Sequence, residues 1–73
     1  METSMLCKDL IKQIRIKCGI TQSVLSEWTK IDQQSISLYE RGLRKPGLLV
    51  RHKIIKIANE KAGMNVKDSD IND

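Results

Sequence analysis

Gly19, Gly42, the Pro46-Gly47 pair and Gly63 cut this 73-residue chain into short segments, and within each the apolar residues recur at helical spacing. In the first segment Leu6, Leu10 and Ile14, with Cys7, Ile11 and Cys18, repeat every three to four residues and form one stripe. The pattern predicts a helix from about Met5 to Lys17, capped by Ser4 and ended by Gly19 in the left-handed conformation. Thr21 offers a fresh N-cap oxygen, so a short second helix should run from Gln22 to Thr29, with Val24, Leu25 and Trp28 available to pack. Asp32 is a good N-cap for a third helix, Gln33 to Arg41, which buries Ile36 and Tyr39 and stops at Gly42. Pro46 pushes Lys45 out of helical geometry. A fourth helix, Leu49 to Ala62, then carries Ile54, Ile55, Ile57 and Ala58 and ends at Gly63.

Nothing reads as a strand, so the expected fold is all-α: a compact bundle of four to five short helices. None could persist alone at this length, and each depends on a shared core. Residues 1–63 form the helical domain. Residues 64–73 are a polar, acidic C-terminal tail that either holds one further turn around Val66–Ile71 or frays.

Composition removes whole classes of function. A chain this short buries only about 60% of its unfolded surface, which leaves no room for a second domain or a deep substrate pocket. Phe is absent and Trp28 and Tyr39 are the only aromatics, so the core must be aliphatic. No apolar run approaches the roughly 18 residues of a membrane span. Met1–Lys12 lacks the basic-then-apolar order of a secretory signal, which points to the cytoplasm. Cys7 and Cys18, about 16 Å apart along one helix, are too distant for a disulfide and read as packed thiols. His52, the single histidine, has no Cys or carboxylate at ligand spacing, so no metal or other cofactor is expected. With no carboxylate dyad, no Ser/His/Asp set and no phosphate-cradling Gly loop, an enzyme is not expected either.

The net charge is +4, and its distribution says more than its size. Arg41, Arg44, Lys45, Arg51, Lys53, Lys56 and Lys61 follow one another opposed only by Glu60, while Asp68, Asp70 and Asp73 make the tail anionic. Such a field is polarised, and its cationic part suits a polyanion. The centre of the chain supplies the matching architecture: a capped short helix from Gln22, a tight turn, and a second capped helix from Gln33. That is the helix-turn-helix arrangement, which seats its second helix in the DNA major groove. Ser26 is small where the two helices cross, and Leu25, Ile31 and Ile36 fix their angle. Gln33, Gln34 and Ser37 then lie on the exposed start and outer face of the third helix. Gln bridges adenine N6 and N7, and Ser pairs with most base edges.

Across Leu10–Gly63 the sequence resembles the Cro/repressor-type helix-turn-helix family, and in detail the DNA-binding domains of lambdoid phage repressors. The residues that carry the resemblance are Arg15, Gly19-Ile20-Thr21-Gln22, Gln33-Gln34-Ser35-Ile36 and Glu40-Arg41-Gly42. It implies that Gln22 holds a DNA phosphate at the start of the second helix. Gln33 and Gln34 would read bases, with Ser35 on the backbone, and Arg41, Arg44 and Lys45 would meet phosphates beyond the recognition helix. Arg15 and Glu40 would form an internal ion pair.

Three positions depart from the family pattern. Lys30 stands where Gly is usual and must accept positive φ. Leu38 replaces a late polar reader and either touches a thymine methyl or packs. The link from Gly47 to Lys53 is about three residues longer than usual and brings Leu48, Leu49 and Val50, which either extend the fourth helix into the core or line a dimer contact. The expected function is a sequence-specific transcriptional regulator of phage or bacterial type, a repressor acting by occupancy of a double-stranded operator as a homodimer. No small-molecule effector is evident. The alternative is a protein-binding helix-turn-helix module (antirepressor, adaptor or antitoxin) that uses Trp28, Leu38 and Leu48–Val50 as its contact patch.

Overall fold

The computed structural model describes residues 5–72. Helix α1 spans Cys7–Cys18, α2 Gln22–Thr29, α3 Gln33–Glu40 and α4 Leu48–Lys61, and a single 3-10 turn follows at Asp68–Asp70. No strand occurs among the described residues, and the all-α bundle expected from the sequence is the fold.

The local punctuation works as the residue types dictate. Gly19 sits at φ +64° and Gly42 at φ +73°, in the left-handed region that ends α1 and α3. The Thr21 hydroxyl accepts the Val24 N–H at 3.3 Å. The Asp32 carboxylate accepts those of Gln34 and Ser35 at 3.0 and 3.3 Å. Lys30 ends α2 at φ +60°, the only non-glycine with positive φ among the described residues. A Cβ in this region costs roughly 1 kcal/mol. Lys30→Gly is therefore expected to stabilise the fold by about 0.5–1 kcal/mol, read as a higher urea midpoint at unchanged slope.

Several helix ends differ from the sequence-based expectation. Helix α1 begins at Cys7 rather than Met5, with Leu6 as its N-cap in extended geometry and no side-chain cap. Ser4, the expected cap, lies outside the described residues. The cause is non-local: Met5 is drawn into a parallel bridge with Ile71, donating its N–H to the Asp70 carbonyl and accepting from Asn72, both at 2.9 Å. Leu6 consequently leaves the apolar stripe and is 38% exposed. Helix α3 ends at Glu40, and Arg41 is its C-cap. Helix α4 runs one residue earlier at each end than the pattern suggested.

The core gathers Cys7, Leu10, Ile11 and Ile14 of α1, Leu25 of α2, Ile36 and Tyr39 of α3, and Ile54, Ile55, Ile57 and Ala58 of α4, with Ile31 from the turn. Residues 64–72 belong to it as well, because Val66 and Ile71 are buried there. The Asn59 side chain brackets Val66, donating to its carbonyl at 3.0 Å and accepting its N–H at 2.8 Å. Arg51 meets Asp68 through two nitrogens at 2.7 and 3.3 Å. The acidic tail is thus a strap across the N-terminus of α1 and the flank of α4. Cys7 is buried and Cys18 half-buried, and neither is in a disulfide.

Candidate nucleic-acid interface

The angle between α2 and α3 is fixed by side chains that bond the turn backbone. Thr29, which is buried, accepts the Ile31 N–H at 3.3 Å and donates to the Leu25 carbonyl at 2.8 Å. Ser26 donates to the Ile31 carbonyl across the helix crossing. Ile31 itself is buried, so the turn is pinned to the core from both sides. A buried backbone group without such a partner would cost roughly 1–3 kcal/mol. The short polar residues here therefore hold α3 at one tilt.

That tilt presents one face of α3 outward. Gln33 and Gln34 are exposed, Ser35, Ser37 and Leu38 are half-buried, and Ile36, Tyr39 and Glu40 point inward. A hollow of about 530 Å³ lined by Gln22, Asp32, Gln33, Gln34 and Ser37 joins the starts of α2 and α3. A second, of about 260 Å³, continues along the helix between Gln34, Ser37, Leu38 and Arg41. Gln34 and Ser37 line both, so the polar face is continuous from Gln22 to Arg41. Leu38 stands at the edge of this face, half-buried, with part of its side chain open. The Asp32 carboxylate is spent on capping α3, so the front of this helix offers amides and hydroxyls rather than a naked positive end.

Behind the face runs a chain of polar contacts. Arg15 Nη1 donates to both carboxylate oxygens of Glu40 at 2.8 and 2.7 Å, and Arg15 Nε donates to the Ile20 carbonyl at 3.3 Å. Gln22 Nε2 donates to Glu40 Oε1 at 3.1 Å. The Glu40 carboxylate therefore ties the end of α1, the start of α2 and the end of α3 together. An amide nitrogen carries two hydrogens. One of Gln22's is committed to Glu40, and the other is held in a defined direction beside the helix N-terminus.

Arg41, Arg44 and Lys45 are exposed after α3. Arg44 and Lys45 line a separate hollow of about 310 Å³ with Gly42, Leu6, Asn72 and Lys8. Lys8 was missed by sequence reasoning: it sits on α1, far from the cationic run in the chain, and only the packing of α1 beside the α3–α4 loop brings it there. Its stem lies so close to Gly42 that a Cβ there would stand 3.3 Å from Lys8 Cδ. The Gln22–Glu40 bond was not legible either, since nothing in the spacing of the two residues signals it.

Of Leu48, Leu49 and Val50 at the start of α4, only Val50 packs against the core; Leu48 and Leu49 are 56% and 77% exposed. Among the described residues no group of three or more His, Cys, Asp or Glu could hold a metal ion. No helix there is long and apolar enough to cross a membrane. No curated protein and no solved structure gives a significant match to the chain. A protein-family model described as Helix-turn-helix does match, over residues 11–60, from the middle of α1 to the last turn of α4. The match spans more than half of the chain and includes α2, the pinned turn and the outward face of α3. This chain belongs to the Cro/repressor-type helix-turn-helix family, a family of DNA-binding regulatory domains.

Proposed function

We propose that the protein is a sequence-specific, double-stranded DNA-binding transcriptional repressor of phage or bacterial type, acting by operator occupancy. The observation that carries this reading is the exposed Gln33–Gln34 pair at the front of a helix whose tilt is pinned from the core. Gln33, Gln34 and Ser37 sample base edges in the major groove, and Leu38 meets a thymine methyl. Gln22, Ser35, Arg41, Arg44 and Lys45 fix the register on phosphates, and the Arg15–Glu40 pair holds their frame. Lys8 adds a cation on the Arg44–Lys45 side.

One such helix reads only a few base pairs, so a second copy supplies the remaining affinity and specificity. Two-fold copies set recognition helices about 34 Å apart on a palindromic site. Exposed Leu43, Leu48 and Leu49, all on or just before the start of α4, support a homodimer contact there.

Base-reading and phosphate-holding residues respond differently to removal. Gln34→Ala is expected to cost about 1–2 kcal/mol on the preferred duplex and to relax preference at one position, with little change on a scrambled duplex. Arg44→Ala is expected to weaken both duplexes alike and to reduce the slope of log K against log salt by about one. Titration of each variant on both duplexes at several salt concentrations measures this. Equal losses for the two variants on the two duplexes would refute the assignment of roles.

A further inference from the structure

A second feature lies at the end of α2, whereas the hollow along α3 meets the start of α2 at Gln22. Between the end of α2 and the outer face of α4 lies a groove of about 340 Å³. Its floor is buried Ile57 and half-buried Trp28, and its rim is Lys53, Lys56, Glu60 and Lys61. It shares no lining residue with the hollows along α3, so both surfaces can be occupied at once. The three lysines are exposed, and none forms a salt bridge among the described residues; the ion pairs there use Arg15, Arg51 and His52. The groove is therefore an apolar slot under a rim of three cations and one anion, and its complement is an anion with an apolar side.

Geometry narrows the class of that complement. Lys53 and Lys56 are one turn apart on α4, so their stems rise about 5–6 Å from each other, the separation of carboxylates one turn apart on another helix. Lys61 Nζ lies 5.4 Å over the centroid of the Trp28 ring. The ring face is thereby occupied by a cation–π contact, and a stacking base would have to displace it, whereas an aliphatic group can reach the ring edge and Ile57 from the side.

We propose that this groove docks an acidic helical segment of a partner protein. Carboxylates one turn apart meet Lys53 and Lys56, and an aliphatic side chain between them lies against Trp28 and Ile57. The contact leaves the α3 face open, so the partner can be recruited to the protein while it is on DNA.

Trp28 is the only tryptophan in the chain, so its fluorescence reports on the groove without a label. The test titrates the full chain, in the absence of DNA, with a synthetic helical peptide bearing glutamates at i and i+4 around leucines. A saturable change in Trp28 emission is expected. K53E/K56E should weaken it by about tenfold or more, and a peptide with lysine in place of glutamate should give none. Both lysines are exposed, so the double variant is expected to keep the wild-type circular dichroism melt. Lys53→Gln/Lys56→Gln provides a second, charge-neutral pair that should lie between. Three outcomes overturn the proposal. The first is Trp28 emission left unchanged by the peptide. The second is a single-stranded oligothymidine that matches or exceeds the peptide, which assigns the groove to nucleic acid. The third is an emission shift with protein concentration alone that K53E/K56E abolishes, which assigns the groove to the Asp68–Asp70 segment of a second copy.

Discussion

Ile71→Ala is expected to lower the unfolding free energy by about 3 kcal/mol, a large share of the 4–10 kcal/mol or so that a chain this short holds in total. Ile71 is 8% exposed and packs in the common core although it lies beyond the last α-helix. It is also the residue through which the strap bridges to Met5. Truncation leaves a cavity under the start of α1 and loosens the two backbone hydrogen bonds that hold Met5. The loss has a ceiling, because once residues 64–72 detach no further contact can be lost. Val66→Ala/Ile71→Ala is accordingly expected to cost less than the sum of the single variants. Ile16→Ala, at a residue of α1 that is 79% exposed, is the matched control and should change stability by no more than about 0.5 kcal/mol. Urea denaturation of the four variants, Val66→Ala included, decides the matter: Ile71→Ala as mild as Ile16→Ala would mean that the strap does not dock.

Glu40→Ala is expected to cost about 3 kcal/mol in stability and, at a temperature where the variant remains folded, about tenfold in affinity for every duplex. The Glu40 side chain is 11% exposed and its carboxylate serves Arg15 and Gln22 together. Its removal strands a guanidinium among the ends of three elements. Arg15 is 29% exposed, so water can reach part of it, and the cost falls at the low end of that for a wholly buried pair. The affinity loss arises because the Gln22 amide loses the bond that aims it. It should be independent of sequence, unlike the loss at Gln34. Glu40→Gln keeps a carbonyl acceptor without the charge and should fall between. Calorimetric melting gives the first quantity and duplex titration the second. A Glu40→Ala variant that melts with the wild type would contradict the role of the carboxylate as a tie.

Features written in local chemistry were legible in the sequence. Gly19, Thr21, Asp32 and Gly42 satisfy helix ends through their own atoms or their own φ, so reading the residue type was enough to place four helices to within two residues. The outward position of Gln33 and Gln34 followed, because it depends only on where α3 starts and which of its residues are apolar. Features decided by distant partners were not legible. Leu6 fits the stripe of α1 by spacing, yet the bridge from Met5 to Ile71 takes the preceding residue out of the helix and Leu6 with it. Val66 and Ile71 sit among polar neighbours with no period, so their burial cannot be read without knowing that Asn59 brackets the strap. Lys8 and the Gln22–Glu40 bond are products of how α1, α2 and α3 meet. Leu48 and Leu49 are apolar at helical spacing, yet they extend α4 beyond the layer it packs on and stay at the surface.

The central claim is that the exposed amides of Gln33 and Gln34 choose the DNA sequence. Selection of random duplexes by the wild-type chain and by Gln34→Ala, sequenced side by side, tests it most directly. The expected result is a shared two-fold-symmetric site with half-sites about one turn apart, in which Gln34→Ala loses preference at one position per half-site and keeps the rest. Identical sites for the two proteins, or no enrichment by the wild type, would contradict the claim.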